Sequence, residues 1–210
     1  MTNDLNSVKS EPADGRAYHH GSLRPALIAA AEAVIAERGL DRFSLRETAR
    51  RAGVSAAAPA HHFGDARGLL TAIAAQAFAD LADALEAADA SAAPNREARL
   101  KAQGEAYVAF ALDRPARFDL MWRKPLLNND DPQLIDAGDR AFDVLDRVTR
   151  EGGAPSSNST DPVLAPSIAA WALVHGFARL AIDGAFGAEP DSAERAAQSF
   201  LPLILDQLRY

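Results

Sequence analysis

Cysteine is absent from this 210-residue chain. That excludes disulfides and thiolate-bound metals, and it fits a reducing, cytoplasmic compartment. No run of about 18 consecutive apolar residues occurs, so no membrane span is expected. The opening stretch MTNDLNSVKSEPADGRA lacks the apolar centre of a secretion signal and predicts a disordered tail over residues 1–17. Positive charge is also scarce: 22 Lys and Arg stand against 29 Asp and Glu, a net of −7, which argues at first against a nucleic-acid partner. Strand signals are the last deficit. Val and Ile are scattered and no apolar–polar alternation persists, while Ala, Leu, Glu and Arg dominate, so the chain reads as all-α, with about nine helices.

The charge that is present is unevenly placed. From Arg16 to Arg67 eight arginines stand against five acids, leaving +3 there and −10 for the rest, and four of the five histidines lie in the same stretch. A small basic module on a larger acidic body suits a polyanion contact at one end only.

Periodicity places the helices of that module. Leu23, Leu27, Ala30, Ala31, Val34 and Ile35 form one stripe of a helix over residues 22–38. A second helix begins at Ser44, where SLRE has the capping-box pattern of Ser44 with Glu47, buries Leu45, Ala49 and Ala52, and stops at Gly53. A third, short helix is predicted over residues 56–63 with Ser55 as its N-cap, and a long fourth helix opens with Asp65 as N-cap. Further helical segments are predicted over 96–112, 116–122, 132–150, 163–185 and 192–208. The stretch EGGAPSSNSTDP reads as the one long loop, and its Asn158-Ser159-Thr160 triplet is read as a chance match to a glycosylation site.

Two short helices joined by Gly53-Val54-Ser55 have a helix-turn-helix layout, in which the second helix enters the DNA major groove N-terminus first. That helix, SAAAPAHH, carries almost nothing large. Small side chains at Ala56, Ala57, Ala58 and Ala60 let its backbone approach base edges, and their methyls can touch thymine methyls. Pro59 falls in the first turn, where its missing N–H forfeits at most one hydrogen bond. His61 and His62 can donate to phosphates or bases. Close packing inside a bundle would favour the same alanines, so the residues alone leave both readings open.

The stretch YHHGSLRPALIAAAEAVIAERGLDRFSLRETARRAGVSAAAPAHHFGDARGLLTAIAAQAF, residues 18–78, resembles the DNA-binding region of the TetR family of bacterial transcriptional repressors without a gap, and WALVHG, Trp171 to Gly176, resembles a WxxxHG motif in the ligand-binding half of one subgroup. The resemblance implies a disordered tail over 1–17, a helix-turn-helix domain over 18–66, and a ligand-binding and dimerising helical body over 67–210. It also implies an Ω-shaped homodimer built through the last two helices, a palindromic double-stranded DNA operator and release by a small-molecule effector. No cofactor, metal, membrane or catalytic role is expected. The DNA-contact residues it implies are Arg16, Tyr18, His19, Arg24, Ser44, Arg46, Ser55, Ala56, Ala57, Ala58, Ala60, His61, His62 and Ala66. The family usually has Tyr where this chain has Ala60 and Lys where it has Ala66, both used on phosphates, so affinity and its salt dependence should be reduced. Arg16, Tyr18, His19, His20 and Arg24 are expected to compensate as an arm on the backbone or minor groove.

In the larger half, Tyr107, Phe110, Phe118, Met121, Trp122, Trp171 and His175 are the candidate ligand residues, because Phe118, Met121 and Trp122 share one helix face and Trp171 and His175 another. Aromatics at this spacing also build ordinary cores. Ala169, Ala170, Leu173, Phe177, Leu180 and Ala181 form the stripe expected to meet a second copy. Two alternatives stay open: a relative that binds ligand with weakened or lost DNA binding, and an all-helical metal enzyme using His61, His62 and Asp65.

Overall fold

The structure, a computed structural model, describes residues 23–152 and 160–208, and among them it contains nine α-helices and no strand. Arg16, Tyr18, His19 and His20, and Asn158 and Ser159 of the loop triplet, lie outside the described residues.

The apolar stripe of α1 (Leu23–Arg38) buries Leu27, Ala30, Ala31, Val34 and Ile35 as its spacing requires. It packs on α2 (Leu45–Arg51) and on the first turns of α4 (Ala66–Ser91). Ser44 does stand at the N-cap of α2, but the capping box does not form. Its side chain makes no cap hydrogen bond, and the Glu47 carboxylate, which would complete the box by reaching the Ser44 N–H, is held by the Arg50 and Arg38 guanidiniums instead. On the buried side of α2, Thr48 and Ala49 are enclosed, whereas Leu45 and Ala52 are only half-buried.

The third helix, α3, spans only Ala58–Phe63. Ser55 does not cap it. Ala56 and Ala57 form a turn in which the Ala58 N–H donates to the Ser55 carbonyl at 3.0 Å, and the helix proper starts just before Pro59, where a residue without an N–H is tolerated. Gly53, at φ +69, makes the turn between α2 and α3. The Asp65 carboxylate accepts from the Gly68 N–H at 2.8 Å and caps α4. Gly68 is itself a close-approach site, since a Cβ there would lie 1.9 Å from the Phe63 carbonyl oxygen.

Beyond α4 come α5 (Arg96–Asp113), α6 (Pro115–Met121), α7 (Pro132–Thr149), α8 (Ala165–Ile182) and α9 (Ser192–Leu205). Asn95 and Asp131 cap α5 and α7 through their side chains. Short 3₁₀ turns at Leu40–Arg42, Lys124–Leu126 and Pro162–Leu164 have no counterpart in the sequence reading, and Pro202 sits inside α9. By length and composition, α4 and the Pro162–Ile182 segment are apolar enough to cross a membrane, a point that counting unbroken apolar runs misses. In the fold, α4 is the central helix, packed along α7, α5 and α6.

One apolar cluster joins α1, α4 and the α6–α7 region through Ala31, Ile35, Leu69, Leu70, Ile73, Leu120, Leu127 and Leu134; the other fills the body between α4, α5, α8 and α9. Ion pairs reinforce the first junction: Arg117 of α6 lies 2.7 Å from Glu32 of α1 and 2.6 Å from Asp80 of α4. The stripe expected to meet a second copy is mixed. Of that stripe, Ala170, Phe177 and Ala181 are buried in the chain's own core, Leu173 is half-buried, and Ala169 and Leu180 are exposed; outside it, Phe200 and Leu203 of α9 are also exposed, Leu203 at 64%. Helix α8 is apolar on both sides, so spacing alone does not separate its inner face from its outer one.

Ile73 is fully buried in the junction cluster. Ile73→Ala is expected to lower stability by about 2–5 kcal/mol, read by urea unfolding followed by circular dichroism.

Candidate nucleic-acid interface and internal cavity

Helix α3 presents its small residues outward. Ala56, Ala57, Ala60, His61 and His62 are exposed, and Ser55 is exposed beside them. Ala58 departs from the expected open face, being half-buried, because it lies next to Pro59, which is buried and shares the inward side with Phe63 one turn on. Phe63 packs against the junction cluster, and the Arg24 guanidinium sits 5.2 Å from its ring centre. Ala66 is half-buried in the first turn of α4, while Ser44 is half-buried and Arg46 exposed on α2.

Much of the module's positive charge is held internally. Arg38 and Arg50 bind Glu47, Arg51 binds Glu37 in a two-pronged contact, and Arg67 donates to the Leu127 carbonyl. The Arg50 hydrogen bonds, with the nearby positive charges, hold the Glu47 carboxyl pKa at about 2. The Arg38–Glu47 and Arg51–Glu37 pairs tie α2 to the end of α1. Neither Arg42 nor Arg46 forms an ion pair among the described residues, and both are exposed. Asp65 is committed to capping α4, and among the described residues no three His, Asp or Glu side chains converge on a point that a metal would occupy.

The body holds a half-open cavity of about 840 Å³ between α4, α5, α7, α8 and the end of α9. Its walls are mostly apolar: Phe78, Leu81 and Leu85 come from α4, Met121 and Trp122 from the end of α6, and Trp171 and Val174 from α8. Of the candidate ligand residues, Tyr107, Met121, Trp122 and Trp171 reach this wall, whereas Phe110, Phe118 and His175 do not. Phe118 is fully enclosed, edge-on to Tyr107 at 5.8 Å and to Trp122 at 6.2 Å between ring centres. Phe110 is buried with the Arg114 guanidinium 5.7 Å from its ring centre. His175 stands behind Tyr107, with Nδ1 2.9 Å from the Tyr107 hydroxyl, which also accepts from Trp171 Nε1 at 3.3 Å. Phe118 and His175 extend the aromatic cluster of Tyr107, Trp122 and Trp171 behind the cavity wall. Helical spacing shows that residues share a face but not how deep each one sits.

Sequence reasoning passes over the α7 wall altogether. Ile135, Gly138, Asp139, Phe142, Asp143 and Asp146 fall on one face of α7 and all line the cavity. A row of acids on an amphipathic helix reads as a solvent face, and in the fold it lies at the rim of the cavity: Asp139 is exposed, Asp143 half-buried and Asp146 buried.

Burial holds the His175 pKa below the ordinary histidine value, and the charge of Arg179 pushes it the same way. The unfolded chain therefore takes up this proton first as pH falls. Stability from His175 is complete above the ordinary histidine pKa of ~6.5, declines as pH drops from there to the folded value, and levels off below it. His175→Gln is expected to flatten that decline, measured by urea unfolding at about pH 7.5 and about pH 5.

Residues 27–73 match a family model described as bacterial regulatory proteins, tetR family, and residues 100–202 match that of a tetracyclin repressor-like C-terminal domain. Among solved structures the chain is similar to a protein of unknown function from Rhodococcus sp. RHA1, 36% identical over 93% of this chain and 100% of that one, with a TM-score of 0.72. It shares its fold with PfmR, a TetR family transcriptional regulator from Thermus thermophilus, at 24% identity, 88% and 99% coverage, and a TM-score of 0.64. It also shares its fold with a tetR-family regulatory protein from Rhodococcus RHA1, at 23% identity, 89% and 96% coverage, and a TM-score of 0.64. No curated protein matches the chain. The two matched stretches span well over half of the sequence and the first contains the α2–turn–α3 unit, so the chain belongs to the tetR family of bacterial transcriptional regulators.

Proposed function

We propose that the chain is a cytoplasmic repressor that binds a palindromic DNA operator as a homodimer and releases it when a small molecule enters the cavity. The observation that carries this reading is the pairing of an open, side-chain-poor α3 face with a separate cavity of about 840 Å³, both built on α4. In this reading residues 18–66 bind DNA and 67–210 bind ligand and the second copy. No chemical reaction is assigned to it.

On the DNA side, Ala56, Ala57 and Ala60 let the α3 backbone approach the major groove, while His61 and His62 donate to base or phosphate acceptors. Arg42 and Arg46, without an ion-pair partner among the described residues, are the cations available to the DNA backbone, and Arg24 at the start of α1 is a third. The exposed apolar residues Leu180, Phe200 and Leu203 favour the ends of α8 and α9 as the surface covered by the second copy. Two-fold symmetry would then set two α3 helices roughly 34–36 Å apart, or somewhat more, on one side of a duplex.

Two measurements test this. With DNA from upstream of the chain's own gene, Ala66→Lys is expected to strengthen binding and to steepen the log–log salt slope by about 0.9, read by fluorescence anisotropy over a salt series. An unchanged slope would remove the start of α4 from the interface. Leu203→Glu is expected to shift the protein from dimer to monomer in sedimentation velocity and to abolish operator binding without unfolding it, since this side chain already faces outward. A wild-type monomer at micromolar concentration would sink the homodimer.

A further inference from the structure

Building on the reading of the cavity as the effector site, we propose that its ligand is a lipophilic organic cation, whose charge meets Asp139 and Asp143 and whose apolar body lies against Phe142, Trp122 and Trp171. Three features of the cavity carry this. The first is an uncompensated pair of acids. Asp139 and Asp143 lie one helical turn apart on the lining face of α7, and among the described residues no Arg or Lys nitrogen pairs with either carboxylate. The third acid of that face, Asp146, is already satisfied by Arg150 and by the Ser167 hydroxyl at 2.7 Å. Asp139 is exposed and Asp143 half-buried, and both border an outer cleft with Arg140 and Arg147, but those guanidiniums bind Glu86, and Arg140 also binds Asp83. Among the described residues Lys124 is the single cationic side chain on the cavity wall. Burial, together with the carboxylates of Asp139 and Asp146, pushes the Asp143 pKa up, with Arg147 and Arg150 opposing, so a positive group arriving there relieves repulsion already built into the fold.

The second feature is an aromatic corner that includes Phe142, which lies between those acids on α7. The ring centres of Trp122 and Trp171 are 5.4 Å apart and those of Phe142 and Trp171 are 6.1 Å apart. Aromatic faces attract a desolvated cation and give an apolar body a flat surface to lie on. The third is access. Ile135 and Ile168 line the cavity yet are 44% and 41% exposed, which marks an apolar entrance between α7 and α8. Gly138 keeps the floor beside Asp139 open, since a Cβ there would meet nothing within 4 Å. The volume suits a drug-sized molecule. An anionic ligand of the same shape would meet like charge at Asp139 and Asp143.

Both tryptophans of the chain line the cavity, so their fluorescence, with calorimetry as a second readout, reports occupancy in the full-length protein. Tetraphenylphosphonium, tetraphenylborate and neutral triphenylphosphine oxide offer closely similar bodies of opposite and zero charge. The cation is expected to bind saturably and about tenfold or more tighter than the other two, and Asp139→Asn with Asp143→Asn to weaken it about tenfold while leaving the neutral probe unchanged. Asp136→Asn, on α7 but off the cavity wall, should bind as the wild type does, and thermal melts establish that the variants are folded. Tighter binding of the anion or the neutral probe, or full cation affinity in the doubly substituted protein, would overturn the assignment. Adding the same probes to the protein–DNA complex separates the two readings. Release of DNA by the anion or the neutral probe alone would overturn the cationic ligand and leave the effector cavity standing. Cation binding that depends on Asp139 and Asp143 but leaves DNA affinity unchanged would do the reverse.

Discussion

The apolar contact that α4 makes at both of its ends is the constraint on which the rest depends. Its first turns, through Leu69, Leu70 and Ile73, close the core against α1, while Phe78, Leu81 and Leu85 further along form one wall of the cavity. A helix packed at both ends cannot tilt at one without moving at the other, because cores at crystal-like density transmit displacement rather than absorb it. Arg117 adds a polar tie at the same junction, bridging Glu32 of α1 and Asp80 of α4 from α6. The residues just after it on α6, Met121 and Trp122, reach the cavity. In the proposed reading, α4 and α6 are the two elements that join the cavity to the helix-turn-helix module.

Electrostatics divides the molecule along the same line. In the module, Glu37 and Glu47 are consumed in positioning α2, which leaves Arg42 and Arg46 on the surface without acidic partners among the described residues. In the body the opposite holds, with Arg150 neutralising Asp146 while Asp139 and Asp143 have no ion-pair partner among the described residues. Each end thus carries residual charge of one sign, positive where a polyanion would dock and negative where a cation would enter. The net charge of −7 hides both.

Much of this was legible in the residues. Helix periodicity, the Asp65 cap, the Gly53 turn and the stripped-down α3 all follow from local chemistry, and they come out close to the expected residues because they depend on neighbours within a few positions. Failures occur where two local options compete. Glu47 had a choice between the Ser44 backbone and two guanidiniums, and the charged partners win. Ser55 was a sound cap by composition, but Pro59 sets where the helix can start. Among the candidate ligand residues, four reach the cavity and three stand behind them, a difference of depth along side chains that share the same helical spacing.

The sequence by itself determined the helical class, the order of the elements and the outward face of α3, since each rests on interactions between residues close along the chain. Tertiary structure alone decided which side of α7 and α8 looks inward, how far the aromatic cluster stops short of filling the body, and that two acids typical of a solvent face line its empty space. Those outcomes depend on contacts between segments tens of residues apart, where packing and not periodicity sets the direction of a side chain.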